Sequence, residues 1–222
     1  MGNPKARVTA HDLWKTMTAT RLRRLAVVGI LGLAAFIALN AGYFIRELDF
    51  QIARLGASLT GSSVIELKTD PVVTVDAPLG PNELRIASVG IRSPIIDVPI
   101  INEERFQDAL MHGVVHYPQT ARIGQPGNAF IFGHSSDFSW RASPYRHIFS
   151  LLPHVVAGDV IEVTDEQGTV YQYRVTETFI VSPTDTRVLD QGDGSQSLLT
   201  LQTSYPFGTA LARYIVRAEL VL

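Results

Sequence analysis

Residues 25–45, LAVVGILGLAAFIALNAGYFI, carry no charged side chain and are closed at either end by Arg24 and Arg46. As a helix rising about 1.5 Å per residue the run is roughly 30 Å long, the thickness of a bilayer's hydrocarbon core. It has to be a helix there, because no water is present to satisfy free backbone groups, and nothing along it offers the polar stripe of a soluble domain's surface helix. A cleaved signal peptide is the rival reading. Its apolar region usually runs only about 7 to 15 residues and ends at a small-x-small site, whereas the residues two before Ala38 and Ala41 are Phe36 and Leu39. The run therefore reads as an uncleaved signal-anchor. Six basic residues precede it (Lys5, Arg7, Lys15, Arg21, Arg23 and Arg24), against Arg46 and Arg54 shortly after, which sets the N-terminus in the cytoplasm and the bulk of the chain outside.

Charge follows the same division. Of 222 residues, 19 are Lys or Arg and 21 are Asp or Glu; the first 24 hold six bases and one acid, Asp12. The part after the span is consequently acidic, with a net charge of −7, which excludes a nucleic-acid-binding domain as the main business of the chain. A chain that is 46% hydrophobic and 18% charged is not disordered, and its size suits one globular domain plus an appendage. The absence of cysteine removes disulfides, thiolate metal sites and a cysteine nucleophile together.

The organisation reads as a basic N-terminus (1–24), the anchor (25–45), a stalk or linker (46–81) and a compact domain (82–222). The helix could run on briefly before Gly61-Ser62-Ser63, and Pro71, Pro78, Gly80 and Pro81 mark the extended part of the stalk. In the domain, strands are expected at 83–89, 95–101, 113–116, 128–133, 160–164, 169–181, 197–204 and 213–222. Asp165-Glu166-Gln167-Gly168 is a turn. A short helix capped by Asn102, with Glu103 and Glu104 in its first turn, and a second over 144–152 interrupt the strands. Many short strands and few helices imply a mainly β, closed or nearly closed barrel.

Three residues stand out. His134 ends the apolar run GNAFIFG, so a buried strand delivers an imidazole to its end; taken alone, such a histidine is more often a satisfied structural residue. Ser204 ends SLLTLQTS, in which a period of two puts Leu198, Thr200, Gln202 and Ser204 on one face beside a Pro/Gly loop. Arg213 opens RYIVRAEL, with enough intervening chain for a loop and a return on an adjacent antiparallel strand. His112 and His116 fail as a helical metal pair, because Gly113 and the apolar Val114-Val115 end the helix between them. No metal or cofactor is expected. Asp190 and Asp193 in the loop 188–196 read as a solvated turn.

Together these features resemble the sortases, membrane-anchored cysteine transpeptidases. The resemblance covers roughly 82–222 and rests on HGVVHYP from His112, GNAFIFGHSSD from Gly127, GDVIEV from Gly158, YQYRV from Tyr171, and TLQTS followed by RYIV. It implies an eight-stranded β-barrel with short helices. It also implies that His134 is the catalytic histidine, that Arg213 stabilises the oxyanion and holds substrate, and that Ser204 occupies the nucleophile position. Thr200, Leu201 and Thr203 would shape the strand that presents it and be substrate-binding. The implied partners are a sorting-signal peptide of surface proteins, cleaved at a Thr–Gly bond, and an amine acceptor of the cell wall or a pilin, at the outer face of a bacterial cytoplasmic membrane.

One position departs from the family pattern: the diagnostic TLxTC strand is TLQTS here. A thiol with pKa near 8.5 ionises in part beside a cationic histidine, whereas a serine hydroxyl needs a true general base, usually oriented by a carboxylate. The sequence assigns no carboxylate to that role, Asp137 and Asp185 being the two considered. An engineered Cys→Ser variant, a natural loss of chemistry and a serine-using relative all remain open at this level, as does a catalytically silent peptide-binding module.

Overall fold

The computed structural model describes residues 10–60, 77–137, 141 and 143–221, with side chains described from residue 21 onward and not at residue 60. The chain divides into two units, 1–41 and 42–222. In the first, a helix α1 (Ala10–Leu39) contains a segment, Arg21–Leu39, long and apolar enough to cross a membrane. Asn40 interrupts it, turning its side-chain amide back to Phe36 O at 2.8 Å. A second helix, α2 (Ala41–Thr60), begins at once, so the apolar run 25–45 is shared between two helices. Most of the expected extended stalk, 61–76, lies outside the described residues.

In the second unit eight strands close into a barrel: β1 (Glu83–Ile86), β2 (Ile91–Asp97), β3 (Val114–His116), β4 (Gly127–Phe132), β5 (Val160–Thr164), β6 (Val170–Val181), β7 (Ser197–Tyr205) and β8 (Ala212–Leu220), in the order β1-β2-β3-β4-β7-β8-β6-β5. The mainly β barrel with few helices expected from the strand spacing is the architecture observed. Two pairs are parallel, β2 with β3 and β4 with β7, and the rest are antiparallel. A parallel neighbour needs a crossover. Helix α3 (Glu103–Ala109) supplies one for β2 and β3; β5 and β6 lie in the connection between β4 and β7. Alternation along the strands fills the barrel: Ile86, Ile95, Val114, Ile131, Ile161, Tyr173, Leu199, Leu201 and Val216 point into one apolar core.

Local differences from the sequence reading have local causes. The expected strand 83–89 stops at Ile86, because Ala87–Val89 forms a 3₁₀ turn and Gly90, at φ +63°, reverses the chain into β2. That hairpin brings β2 forward to 91–97 in place of 95–101. The expected helix 144–152 is a series of turns ending in a 3₁₀ turn at Leu152–His154, where Pro153 has no N–H to donate. Helix α3 is as expected: Asn102 Oδ1 accepts from Arg105 N at 3.0 Å, Glu103 and Glu104 lie in the first turn, and Phe106 is buried.

Helix α2 packs one face on the barrel. Phe50 enters the core, flanked by Ala53 and Ala57, and His154 Nε2 meets Glu47 Oε2 at 3.0 Å. Residues 46–60, at the start of the expected stalk, are thus helical and in contact with the domain.

Candidate active site

Strand alternation decides which side chains reach the outside of the barrel. On β4, Ala129 and Ile131 face the core, so Asn128, Phe130 and Phe132 face out, and the same alternation continued past Gly133 carries His134 outward. On β7, Leu199 and Leu201 face the core, leaving Thr200, Gln202 and Ser204 outward; on β8, Val216 and Ala218 face the core, leaving Arg213, Ile215 and Arg217 outward. Registers then bring the three ends together. Ser204 and Arg213 are direct cross-strand partners. The parallel β4–β7 ladder pairs Phe132 with Gln202 and continues with Gly133 N donating to Gln202 O at 3.1 Å, so the chain reaches His134 at the end of β7 that carries Ser204. The trio selected from sequence converges on one end of the outer face.

The walls follow from small sets of contacts. Asn128, 1% exposed, receives the Thr200 hydroxyl on Oδ1 at 2.8 Å and donates Nδ2 to Val188 O and Asp190 O at 2.9 and 3.1 Å. This clamps the β6–β7 connection over the sheet, where Val188 packs with Phe130 and Ile215. Tyr117, Phe130 and Phe132 stack edge to face beside it. Asp185, considered as the missing carboxylate, instead caps the 3₁₀ turn Thr186–Leu189 and pairs with Arg187 at 2.6 Å.

Thr200, Leu201 and Thr203, expected at the substrate side, are buried. Thr200 is covered by Asn128, Leu201 lies in the barrel core, and Thr203 Oγ1 donates to Gly133 O at 2.9 Å. These contacts hold the strand that carries Ser204.

Near His134 lies one of the two acids considered from the sequence. Asp137, with a side chain only 7% exposed, points Oδ2 at His134 Nε2 from 3.8 Å and at Arg141 Nη1 from 3.5 Å. At 3.8 Å no hydrogen bond exists, and among the described residues His134 Nε2 is buried without a hydrogen-bond partner. The main chain is held more firmly, since Phe149 N donates to His134 O at 2.9 Å. Burial pushes the His134 imidazole below its ordinary pKa, Asp137 pulls the other way, and the Arg141 cation adds to the lowering. The ring is therefore neutral at pH 7, the form in which it accepts a proton. Arg213 donates Nη1 to Ala210 O and Ala212 O at 3.2 and 3.1 Å, which stations its guanidinium at the loop joining β7 to β8.

His112 and His116 are bonded within the fold. His116 Nδ1 lies 2.8 Å from Asp97 Oδ1 and its Nε2 3.0 Å from Ala121 O, and His112 Nδ1 is 3.0 Å from its own helix at Asp108 O. The Asp97–His116 pair borders a cavity of about 600 Å³ that also touches Arg122, Asp165 and Tyr171 and none of the trio. Among the described residues no group of three or more His, Cys, Asp or Glu side chains is arranged to hold a metal ion.

A sortase-domain family model matches residues 84–221. Among solved structures, sortase E from Streptomyces avermitilis is 29% identical over 64% of this chain and 88% of its own, with a TM-score of 0.51. A Clostridium perfringens sortase D5 transpeptidase is 28% identical over 63% and 78%, TM-score 0.51. Sortase C-1 from Actinomyces oris is 27% identical over 63% and 72%, TM-score 0.53. No curated protein matches the chain.

Proposed function

Because the chain belongs to the sortase family, we propose that residues 82–222 cleave a sorting-signal peptide and pass its acyl group to an amine, with Ser204 as nucleophile. One observation carries this reading: Ser204 and Arg213 are cross-strand partners on the face where β4 delivers His134. In the first step the Ser204 hydroxyl adds to the scissile carbonyl carbon and its proton passes to neutral His134. The Arg213 guanidinium faces the oxygen on which negative charge develops. Collapse breaks the peptide C–N bond, the imidazolium returns the proton to the leaving amine, and an acyl-serine ester remains. An incoming amine of the cell wall or a pilin attacks the ester carbonyl carbon and passes a proton to His134; as the ester C–O bond breaks, the imidazolium returns that proton to the Ser204 oxygen.

Asp137 is the carboxylate that a serine nucleophile calls for. A shift of about 1 Å brings its Oδ2 to hydrogen-bonding distance of Nε2–H, which fixes the tautomer that leaves Nδ1 free to accept the serine proton. The second reading is a silent peptide-binding module, favoured by the resting 3.8 Å gap between Asp137 and His134. The helix Arg21–Leu39 anchors the domain to the outer face of a bacterial cytoplasmic membrane, with the N-terminus inside.

The test is the full chain, as Ser204 and as Ser204→Cys, incubated with LPxTG-like peptides and an added amine, with acyl-enzyme read by intact mass. Acylation of both forms supports the serine mechanism. Acylation of the cysteine form alone supports the silent module, and of neither form overturns the peptide site.

A further inference from the structure

Helix α2 is amphipathic the wrong way round for a helix that only braces a soluble domain. Its inner face meets the barrel through Phe50, Ala53 and Ala57. At 100° per residue, Phe44, Leu48, Ile52, Leu55 and Leu59 fall in one stripe on the opposite side, with Ile45 at its edge. All are exposed, rising from 39% at Phe44 through 60% at Leu48 and 59% at Ile52 to 67% at Leu55 and 89% at Leu59. The stripe covers four turns, roughly 22 Å at about 1.5 Å per residue. Glu47 and Gln51, hydrogen-bonded to each other at 2.8 Å, with Arg54 and Ser58, run along one flank. An apolar stripe is normally turned to a core, and a continuous exposed one marks a contact surface.

We propose that this stripe is a membrane-docking face: α2 lies in the headgroup–acyl boundary of the leaflet in which the anchor ends, with its other side holding the barrel. Chain continuity selects lipid as the occupant. The membrane-crossing segment ends at Leu39, α2 starts at Ala41, and the first stripe residue is Phe44. Five extended residues reach at most about 17 Å, so the stripe starts within reach of the interface from which the anchor emerges. Apolar side chains on one face of a helix tethered there partition into the boundary region. The docking rests on the anchor reading under Proposed function and adds to it a fixed attitude for the domain: the barrel is held against the membrane surface by a two-faced helix rather than carried on a free tether.

The chain contains no cysteine, so single cysteines can be placed at will. Full-length Leu48→Cys, Ile52→Cys and Leu55→Cys, with Arg54→Cys and Ser58→Cys as flank controls, would be labelled with bimane. They would then be reconstituted in phosphatidylethanolamine–phosphatidylglycerol vesicles. The stripe labels are expected to lose fluorescence to acyl-brominated lipid and to be shielded from aqueous iodide; the flank labels should show the reverse. Free quenching of the stripe labels by iodide, in a chain that resists alkaline extraction, overturns the docking and leaves the anchor intact. Shielding from both quenchers, with disulfide-linked dimers of unlabelled Ile52→Cys, overturns lipid in favour of a second copy. Extraction of the chain by alkali overturns anchor and docking together. As a second variant, Leu48→Lys with Ile52→Lys changes only exposed positions and should restore iodide access at a label on Leu55→Cys; continued shielding overturns the proposal.

Discussion

In the proposed mechanism a serine asks more of its histidine than a cysteine would, and the two charges beside His134, Asp137 and Arg141, push it in opposite directions. Asp137 raises the imidazole's pKa and Arg141 lowers it, on top of the larger lowering by burial. The acid limb of kcat/KM for acyl transfer should therefore lie below the ordinary histidine value of about 6.5. Asp137→Asn removes the raising charge and should move that limb further down while slowing acylation by about 100-fold or more; Arg141→Gln should move it up. A pH–rate series on the three proteins checks both signs, and identical limbs would mean that neither side chain acts on His134. The same shift affects stability. A histidine whose pKa is lower in the folded state binds its proton more readily unfolded, so stability is full above about pH 6.5 and is lost as pH falls toward the folded value. His147, also lowered chiefly by burial, adds to that loss. Melting curves between pH 7 and 5 should show a smaller decline for His134→Gln than for the parent. Of the proposed site, the placement of His134, Ser204 and Arg213 at strand ends was legible in the sequence, because alternation along a strand can be counted; their roles come from the family resemblance. Asp137 was not, because the path of the loop after Gly133 decides its distance from the imidazole and no periodicity encodes a loop.

At the scale of the element, the two strands that present histidine and serine are kept in register by buried polar contacts. Asn128 ties β4 to β7 through Thr200 and to the β6–β7 connection through two carbonyls. Asn128→Ala would strand all three partners, at a cost of about 2 to 3 kcal/mol, since each buried group left unpaired is penalised. Thr200→Val should cost less, because only one acceptor loses its donor, and denaturant titration of the two variants checks the order. Gly133 is constrained by space. A Cβ built on it would lie 2.7 Å from the Phe149 ring and 3.0 Å from Val114, so Gly133→Ala should destabilise by roughly 1 to 3 kcal/mol and displace His134 with it. Reading the eight strands from sequence succeeded where alternation ran clear, as along β6 up to Val175. It slipped at the β1–β2 hairpin, where a 3₁₀ turn and Gly90 reverse the chain inside what reads as one apolar stretch. Composition also hid the two faces of α2, because the apolar run 25–45 reads as one span until α1 is seen to end at Leu39 and α2 to begin at Ala41.

For the molecule as a whole, α2 is more than a brace, because its first turn touches the loop that joins the serine strand to the arginine strand. Tyr43 stacks on Phe207 with ring centroids 3.6 Å apart and planes 17° from parallel, and His147 lies 5.8 Å from the same Phe207 ring. Phe207 is three residues beyond Ser204 and six before Arg213. Arg213 in turn donates to the carbonyls of Ala210 in that loop and of Ala212 at the start of β8. The stack thus holds the loop that joins the proposed nucleophile's strand to that of the arginine. Stacked aromatic pairs contribute about 0.5 to 1.5 kcal/mol beyond the area they bury, enough to bias a short loop without deciding the fold. Tyr43→Ala should leave the barrel's melting temperature nearly unchanged, since Phe50 still seats α2 in the core. It should raise amide exchange in residues 206–211 and lower kcat/KM for peptide acylation by about 2- to 10-fold, the equivalent of that stacking energy. Tyr43→Phe, which keeps the ring and loses only the hydroxyl, should restore both. Unchanged exchange in the loop on removal of the ring would show that the strands alone set the distance between Ser204 and Arg213. Faster exchange with full activity would show that the site tolerates a loose loop.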